Sequence, residues 1–194
     1  MKNILIISAH PDDLEMSCGG SVAKWVSEGH NVVNLILVSD VKQIDSLGFA
    51  REHLGYEAIL WPGDRGSLSV NSDMIADIEA HFVDVDFDRI VTHWREDWHQ
   101  DHQVCHNLGR VLARKQPTEL WYMSSHPYHL KYREFSPDIY VDVSEHAHLK
   151  YKAIAEYDNL PGDWETGVRS HDGWRGTFIH AKKAEVFMAG NLLG

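Results

Sequence analysis

The chain reads as an α/β protein, a Rossmann-like three-layer sandwich built on a mostly parallel sheet, and three observations carry that expectation. Short continuous apolar runs recur along the sequence, stretches with helical spacing separate them, and glycines stand where those stretches should stop. Ile4-Leu5-Ile6-Ile7 is the first run and predicts a buried strand that feeds the loop Ser8-Ala9-His10-Pro11. Val22, Trp25 and Val26 space a helix over Ser21–Glu28, with Gly29 placed to end it. Asn31–Ser39 is the next strand, Ser46–Leu54 a helix ended by Gly55, and Ala58–Trp61 a strand broken by Pro62-Gly63-Asp64. Met74, Ile75, Ile78 and Phe82 mark a helix over Ser72–Val83, and Arg89–His93 a further strand. Beyond it the pattern predicts a helix from about Asp101 to Lys115 and strands at Glu119–Met123 and Ile139–Val143. The stretch from Asn159 to Gly176, rich in Gly and Asp, reads as a long loop before a last helix around Thr177–Ala189. Strands alternating with helices at this rhythm imply parallel pairing through right-handed crossovers. In such sheets ligands collect outside the carboxyl ends of the strands, which gathers His10–Glu15, Asp64-Arg65 and His93–His102 on one rim.

At 194 residues with 43% hydrophobic and 24% charged residues, the chain suits a single domain, residues 1–194, with a real core. A net charge of −11 with scattered Lys and Arg argues against a nucleic-acid partner, which needs a basic face. No run approaches the ~20 apolar residues of a membrane span, and the opening residues lack the length and cleavage site of a signal peptide. With two cysteines, Cys18 and Cys105, no disulfide framework is expected. A cytoplasmic location follows as the default.

The chemistry concentrates in two segments. His10-Pro11-Asp12-Asp13-Leu14-Glu15 puts an imidazole and three carboxylates within six residues, in a loop that leads from a strand into a helix. These are nitrogen and oxygen donors of the kind zinc takes, although carboxylates also suit a helix start for its dipole alone. The second segment, His93-Trp94-Arg95-Glu96-Asp97-Trp98-His99-Gln100-Asp101-His102, also follows a strand. His99 and His102 stand three apart, so one helical turn brings them to the same side, and Asp101 between them can accept an imidazole N–H. Two such clusters on one rim outweigh the reading of incidental polar loops.

Ala9-His10-Pro11-Asp12-Asp13-Leu14-Glu15 with Cys18-Gly19-Gly20, followed by His99-Gln100-Asp101-His102, resembles the PIG-L/LmbE-like zinc N-deacetylases. Arg51–Gly55 and Ala184–Phe187 are weaker matches, to the helix end before the third strand and to the closing helix. The resemblance implies that His10, Asp13 and His102 bind Zn2+, with a coordination position left to water. Asp12 would then be the general base for attack of that water on an amide carbonyl. His99 would polarise the carbonyl or protonate the leaving amine, kept cationic by Asp101. Iron or cobalt could occupy the same ligands. The implied substrate is a small N-acylated sugar or glycoconjugate, such as an N-acetylglucosamine derivative, and the family leaves room for a homo-oligomer. The chain departs from the pattern at Gln100, where proline is usual, and at Leu14-Glu15, where glutamate usually follows the paired aspartates directly. Glu15 is expected to cap the helix or order the loop.

Arg51, Asp64 and Arg65 stand in or near rim loops and are candidates for holding substrate hydroxyls. Trp94, Trp98, Trp121, Tyr122, His126, Tyr128 and His129 suggest an aromatic wall. Trp164, His171, Trp174 and Arg175 suggest a lid. The competing readings are a zinc amidase on a non-sugar N-acyl substrate and a metal-bearing sugar-binding protein without catalysis, which would need neither Asp12 nor His99. A nucleotide-binding module is disfavoured because no G-x-G-x-x-G follows the first strand.

Overall fold

The computed structural model of the protein describes residues 1–38, 41–115, 117–124, 135–158, 160 and 163–192. Its centre is a seven-stranded sheet in the order β3-β2-β1-β4-β5-β7-β6. The strands are β1 (Asn3–Ser8), β2 (Asn31–Val38), β3 (Glu57–Gly63), β4 (Arg89–His93), β5 (Glu119–Met123), β6 (Ile139–Asp142) and β7 (Ala184–Asn191). The first five are parallel, as expected, and β7 runs antiparallel to both β5 and β6. The helices are α1 (Asp13–Ser27), α2 (Ile44–Leu54), α3 (Ser72–His81), α4 (Gln100–Leu112), α5 (Ala147–Ala155) and α6 (Trp164–Thr177).

Alternation along the strands divides the core in two. Ile4 and Ile6 of β1 face one layer with Leu14, Val22, Trp25, Leu47 and Leu54 of α1 and α2. Leu5 and Ile7 face the other with Ile78 of α3 and Cys105 and Leu108 of α4. Both cysteines are buried and unpaired, so Cys105 serves packing. Order reverses at β1, which lies between β2 and β4. The crevice outside the carboxyl ends of β1 and β4 is therefore the switch point at which α/β sheets bind ligands.

Three expectations are corrected. The segment 164–177 is helix α6 rather than a long loop: Gly167, Gly173 and Gly176 suggested a loop, but the helix buries Val168, Asp172, Arg175 and Gly176. Its aromatic residues therefore ride on a packed helix instead of a loop lid. Helix α5 has a buried face (Lys150, Tyr151, Ala153, Ile154) in a stretch where the sequence pattern suggests no element. Ala184–Ala189, expected as the end of a helix, belongs to β7, because that strand pairs on both sides with β5 and β6 and tertiary pairing overrides the helical preference of Ala, Glu and Met. His126, Tyr128 and His129 lie outside the described residues. No helix among the described residues is long and apolar enough to cross a membrane.

Candidate metal centre

The rim is built by two strand ends that turn directly into helices. After β1, the Asp13 N–H donates to the His10 carbonyl and the Met16 N–H to that of Asp12, so α1 begins earlier than the apolar spacing implied. Tyr157 fixes this turn from outside, its hydroxyl donating to the Pro11 carbonyl at 2.6 Å. After β4, the Asp97 carboxylate accepts the His99 N–H at 2.8 Å, and His99 caps α4 by accepting the Asp101 N–H on Nδ1 at 3.2 Å.

Three imidazoles converge on the Asp13 carboxylate. His102 Nε2 lies 3.3 Å from Oδ1, His93 Nε2 3.3 Å from Oδ2, and His10 Nδ1 3.6 Å from Oδ2. The outer nitrogens of two of these rings meet further buried carboxylates. Asp97 takes His102 Nδ1 at 2.8 Å, and Asp101 takes His10 Nε2 at 3.2 Å. Each ring's inner nitrogen is thereby aimed at Asp13, the carboxylate–imidazole arrangement that orients metal-binding histidines. His99 stacks on His102 with centroids 4.6 Å apart and meets His10 edge-on at 4.7 Å. Two overlapping donor groups have ligand atoms within 4.8 Å of one another: His10, His99 and His102, and Asp13, His93 and His102. The expected set His10, Asp13 and His102 draws on both, with His102 shared.

Burial and charge pull against each other throughout the cluster. Burial opposes charge on His102, but the carboxylates of Asp13 and Asp97 prevail and push its pKa up to about 10. Burial also opposes ionisation of Asp13, yet His102 and His93 hold it well below the ordinary carboxylate value. For His93, burial and then the charge of His102 bring the pKa down to about 4. Several buried carboxylates facing a set of imidazoles form a donor set for a divalent transition metal.

The other expected residues are placed as follows. Asp12 precedes α1 without capping it through its side chain, and burial followed by the charge of Asp13 raises its pKa to about 6. The Asp101 carboxylate lies 4.0 Å from His99 Nδ1 and is engaged more closely by His10 at 3.2 Å and by the Gly66 N–H at 3.1 Å. Burial and the neighbouring His102 and His10 lower the pKa of His99 against an upward pull from Asp101, and its Nδ1 accepts a backbone N–H. Glu15 lies buried under the rim in the first turn of α1 and accepts the Tyr56 hydroxyl at 2.6 Å. Of the three candidate substrate-holding residues, Arg65 acts electrostatically on His10 and Asp12. Arg51, exposed on α2, acts on Tyr56, and Asp64 is exposed with its carbonyl bonded to the Ser67 N–H. Trp121 is core, under the Arg89 guanidinium at 3.5 Å, whereas Trp98 stands 61% exposed beside His99. Sequence reasoning assigned no role to His93 or Asp97. Their signal was position: His93 is the last residue of a buried strand at the ligand-binding rim, and Asp97 is the first carboxylate able to fold back onto His102.

Comparison with known proteins agrees with this frame. The model of the family described as PIG-L: GlcNAc-PI de-N-acetylase matches residues 5–57, which carry His10–Asp13. The chain is thus similar to that family over the first strand, α1 and the rim segment between them. A curated relative, the "Uncharacterized deacetylase YaiS" of Escherichia coli (strain K12), is 28% identical over 159 residues, covering 74% of this chain and 83% of its own length. Three solved structures share the fold. The conserved protein TT1542 from Thermus thermophilus has a TM-score of 0.85 at 19% identity, with 100% of this chain and 97% of that one covered. GalB, the 4-carboxy-2-hydroxymuconate hydratase from Pseudomonas putida KT2440, scores 0.84 at 17% identity over 100% and 98% of the two chains. The N,N'-diacetylchitobiose deacetylase from Pyrococcus horikoshii scores 0.80 at 17% identity over 97% and 83%. One fold therefore serves a hydratase as well as deacetylases, so the chemistry has to be argued from the site.

Proposed function

We propose that this chain is a zinc-dependent hydrolase that removes an N-acetyl or other N-acyl group from an amino-sugar-type substrate. The observation that carries the reading is the meeting of His10, Asp13 and His102 at the β1/β4 switch point, with Asp12 adjoining. In this reading those three residues hold the metal. A bound divalent ion supplies Lewis acidity, lowering the pKa of water from 15.7 toward about 7. Asp12, whose side chain is not used in capping, takes the proton from the attacking water and passes it to the amide nitrogen. His99, neutral with Nδ1 engaged by the Asp101 N–H, keeps its proton on Nε2 and donates it in a hydrogen bond to the carbonyl oxygen. Asp97 and Asp101 hold His102 and His10 in orientation. Arg65, which acts electrostatically on His10 and Asp12, meets substrate hydroxyls in this reading. The sugar class is supported by the names of the family and of the chitobiose deacetylase.

Metal analysis and an acetate-release assay on N-acetylglucosamine, its glycosides, chitobiose and nucleotide-linked acetamido sugars test the proposal. Asp12→Ala should keep zinc and lose about 10²–10⁴ in turnover, while His102→Ala should lose zinc as well. Undiminished turnover in Asp12→Ala removes it as the base. Zinc-loaded protein that releases acetate only from acylated amino acids moves the substrate outside the sugars. Loaded protein that releases none, yet hydrates an unsaturated acid, sinks the deacetylase reading in favour of GalB-like chemistry.

A further inference from the structure

Beside α4, over β5 and β7, the surface opens into a recess of about 520 Å³ whose lining shares no residue with the two donor groups of the rim. Trp94, Arg95, Glu96, His106, Arg110 and Tyr122 line it, and an adjoining hollow shares Arg95, Glu96, His106 and Arg110. In a chain of net charge −11 this is a cationic spot. Arg95 is paired with Glu96 at 3.3 Å, whereas Arg110 has no carboxylate partner among the described residues. His106 is 3% exposed; its Nδ1 is bonded to the His93 carbonyl at 3.0 Å, leaving Nε2 as its remaining polar atom in the lining. The His106 ring lies against Tyr122 with centroids 4.7 Å apart. Gly190 of β7 lets that phenol settle onto the strand, since a Cβ there would fall 2.8 Å from the ring. Paired guanidinium groups bind an oxyanion in fork geometry, and aromatic faces take the apolar face of a sugar ring. The volume falls in the range of small-molecule sites.

We infer that this recess is a second ligand site, separate from the metal centre, for a sugar-sized ring that carries a phosphate or a carboxylate. Arg110 and Arg95 hold the anion, Trp94 and Tyr122 the ring, and His106 a hydroxyl. The inference stands apart from the proposed hydrolysis, because it concerns binding alone.

Titration calorimetry on the zinc-loaded full chain tests it with four probes that carry no acyl group: glucose 6-phosphate, glucuronate, glucose and inorganic phosphate. At least one of the two anionic sugars should bind about 10-fold or more tighter than both glucose and inorganic phosphate, and which of them does so identifies the anion. Arg110→Gln, a change at an exposed position, should weaken that binding about 10-fold with an unchanged unfolding midpoint and zinc content. Tyr122→Ala should weaken the anionic sugar while leaving inorganic phosphate unaffected. Affinity equal in wild type and Arg110→Gln overturns the inference, as does an anionic sugar that binds no better than glucose or than inorganic phosphate.

Discussion

Two clusters of buried ionisable side chains touch α1, one at its N-terminus and one at its middle, and they are completed in opposite ways. At the middle, Cys18 leaves helical geometry (φ −145°, ψ 20°), and Glu185 of β7 accepts the Gly20 and Ser21 N–H groups at 2.9 and 2.6 Å just beyond. Lys150 of α5 reaches Glu185 at 2.8 Å and Asp172 of α6 at 3.1 Å, and the Tyr151 hydroxyl donates to Asp172 at 3.2 Å. Burial works against the ammonium, yet the two carboxylates hold its pKa above the ordinary lysine value. This cluster contains its own permanent cation and ties β7, α5 and α6 to α1. The rim cluster has carboxylates and imidazoles but no such buried ammonium among the described residues, and His99, at its edge, is only part-buried. A buried ionic cluster held by a permanent ammonium is architecture; one whose carboxylates face imidazoles, which can exchange a proton for a metal, and which is open on one side has the make-up of a binding site.

Removing the internal cation should have the largest effect. Lys150→Met strands two carboxylates 2% exposed, and should cost about 3–5 kcal/mol of stability. Chemical denaturation measures it, and adding Asp172→Asn should recover part of the loss. Zinc content of the protein that remains folded should not change. A Lys150→Met protein of wild-type stability would break the contrast.

The rim should answer differently. Asp97→Asn keeps size and removes the charge that orients His102, so zinc affinity should fall about 10–100-fold, read by chelator competition, with little change in unfolding midpoint. Equal affinity would mean that Asp97 only fixes the loop through the His99 N–H. Gly109→Ala sharpens the point by moving α4 as a body. A Cβ there would sit 2.7 Å from Thr92 Cγ2, pushing the helix that bears His102 away from the strand that bears His93. Stability should drop by about 1–3 kcal/mol, and zinc affinity should fall with it.

The rim was more legible in sequence than the cluster that braces it, for physical reasons. Strands buried on both faces announce themselves as apolar runs, and Ile4–Ile7 and Arg89–His93 delivered their terminal residues to the rim without further information. His10–Asp13 and His99–His102 were visible because their donors lie close in sequence. Lys150, Asp172 and Glu185 are separated by 22 and 13 positions and belong to elements whose local composition misleads, a glycine-rich helix and a strand of helix formers. The same limit applies inside the rim. Asp101 sits between two histidines in sequence, but its partner is His10, 91 residues away. Which imidazole a carboxylate holds is decided by how α4 is set against β1, and local spacing carries no record of that.

Helix α3 supplies the baseline against which both clusters are measured. It packs Ile78 into the opposite core layer, and its residues belong to neither cluster. Asn71 caps it, Oδ1 accepting the Met74 N–H at 2.9 Å in extended backbone geometry, so the contribution is one satisfied donor at a helix start. Asn71→Ala should therefore cost about 1 kcal/mol, the smallest effect of the series, seen as a modest fall in denaturation midpoint with zinc affinity unchanged. Because the change is mild and remote, it separates general destabilisation from loss of the site. If Asn71→Ala weakened zinc binding as much as Asp97→Asn, metal affinity would be tracking global stability, and the distinction between an architectural cluster and a binding one would lose its meaning.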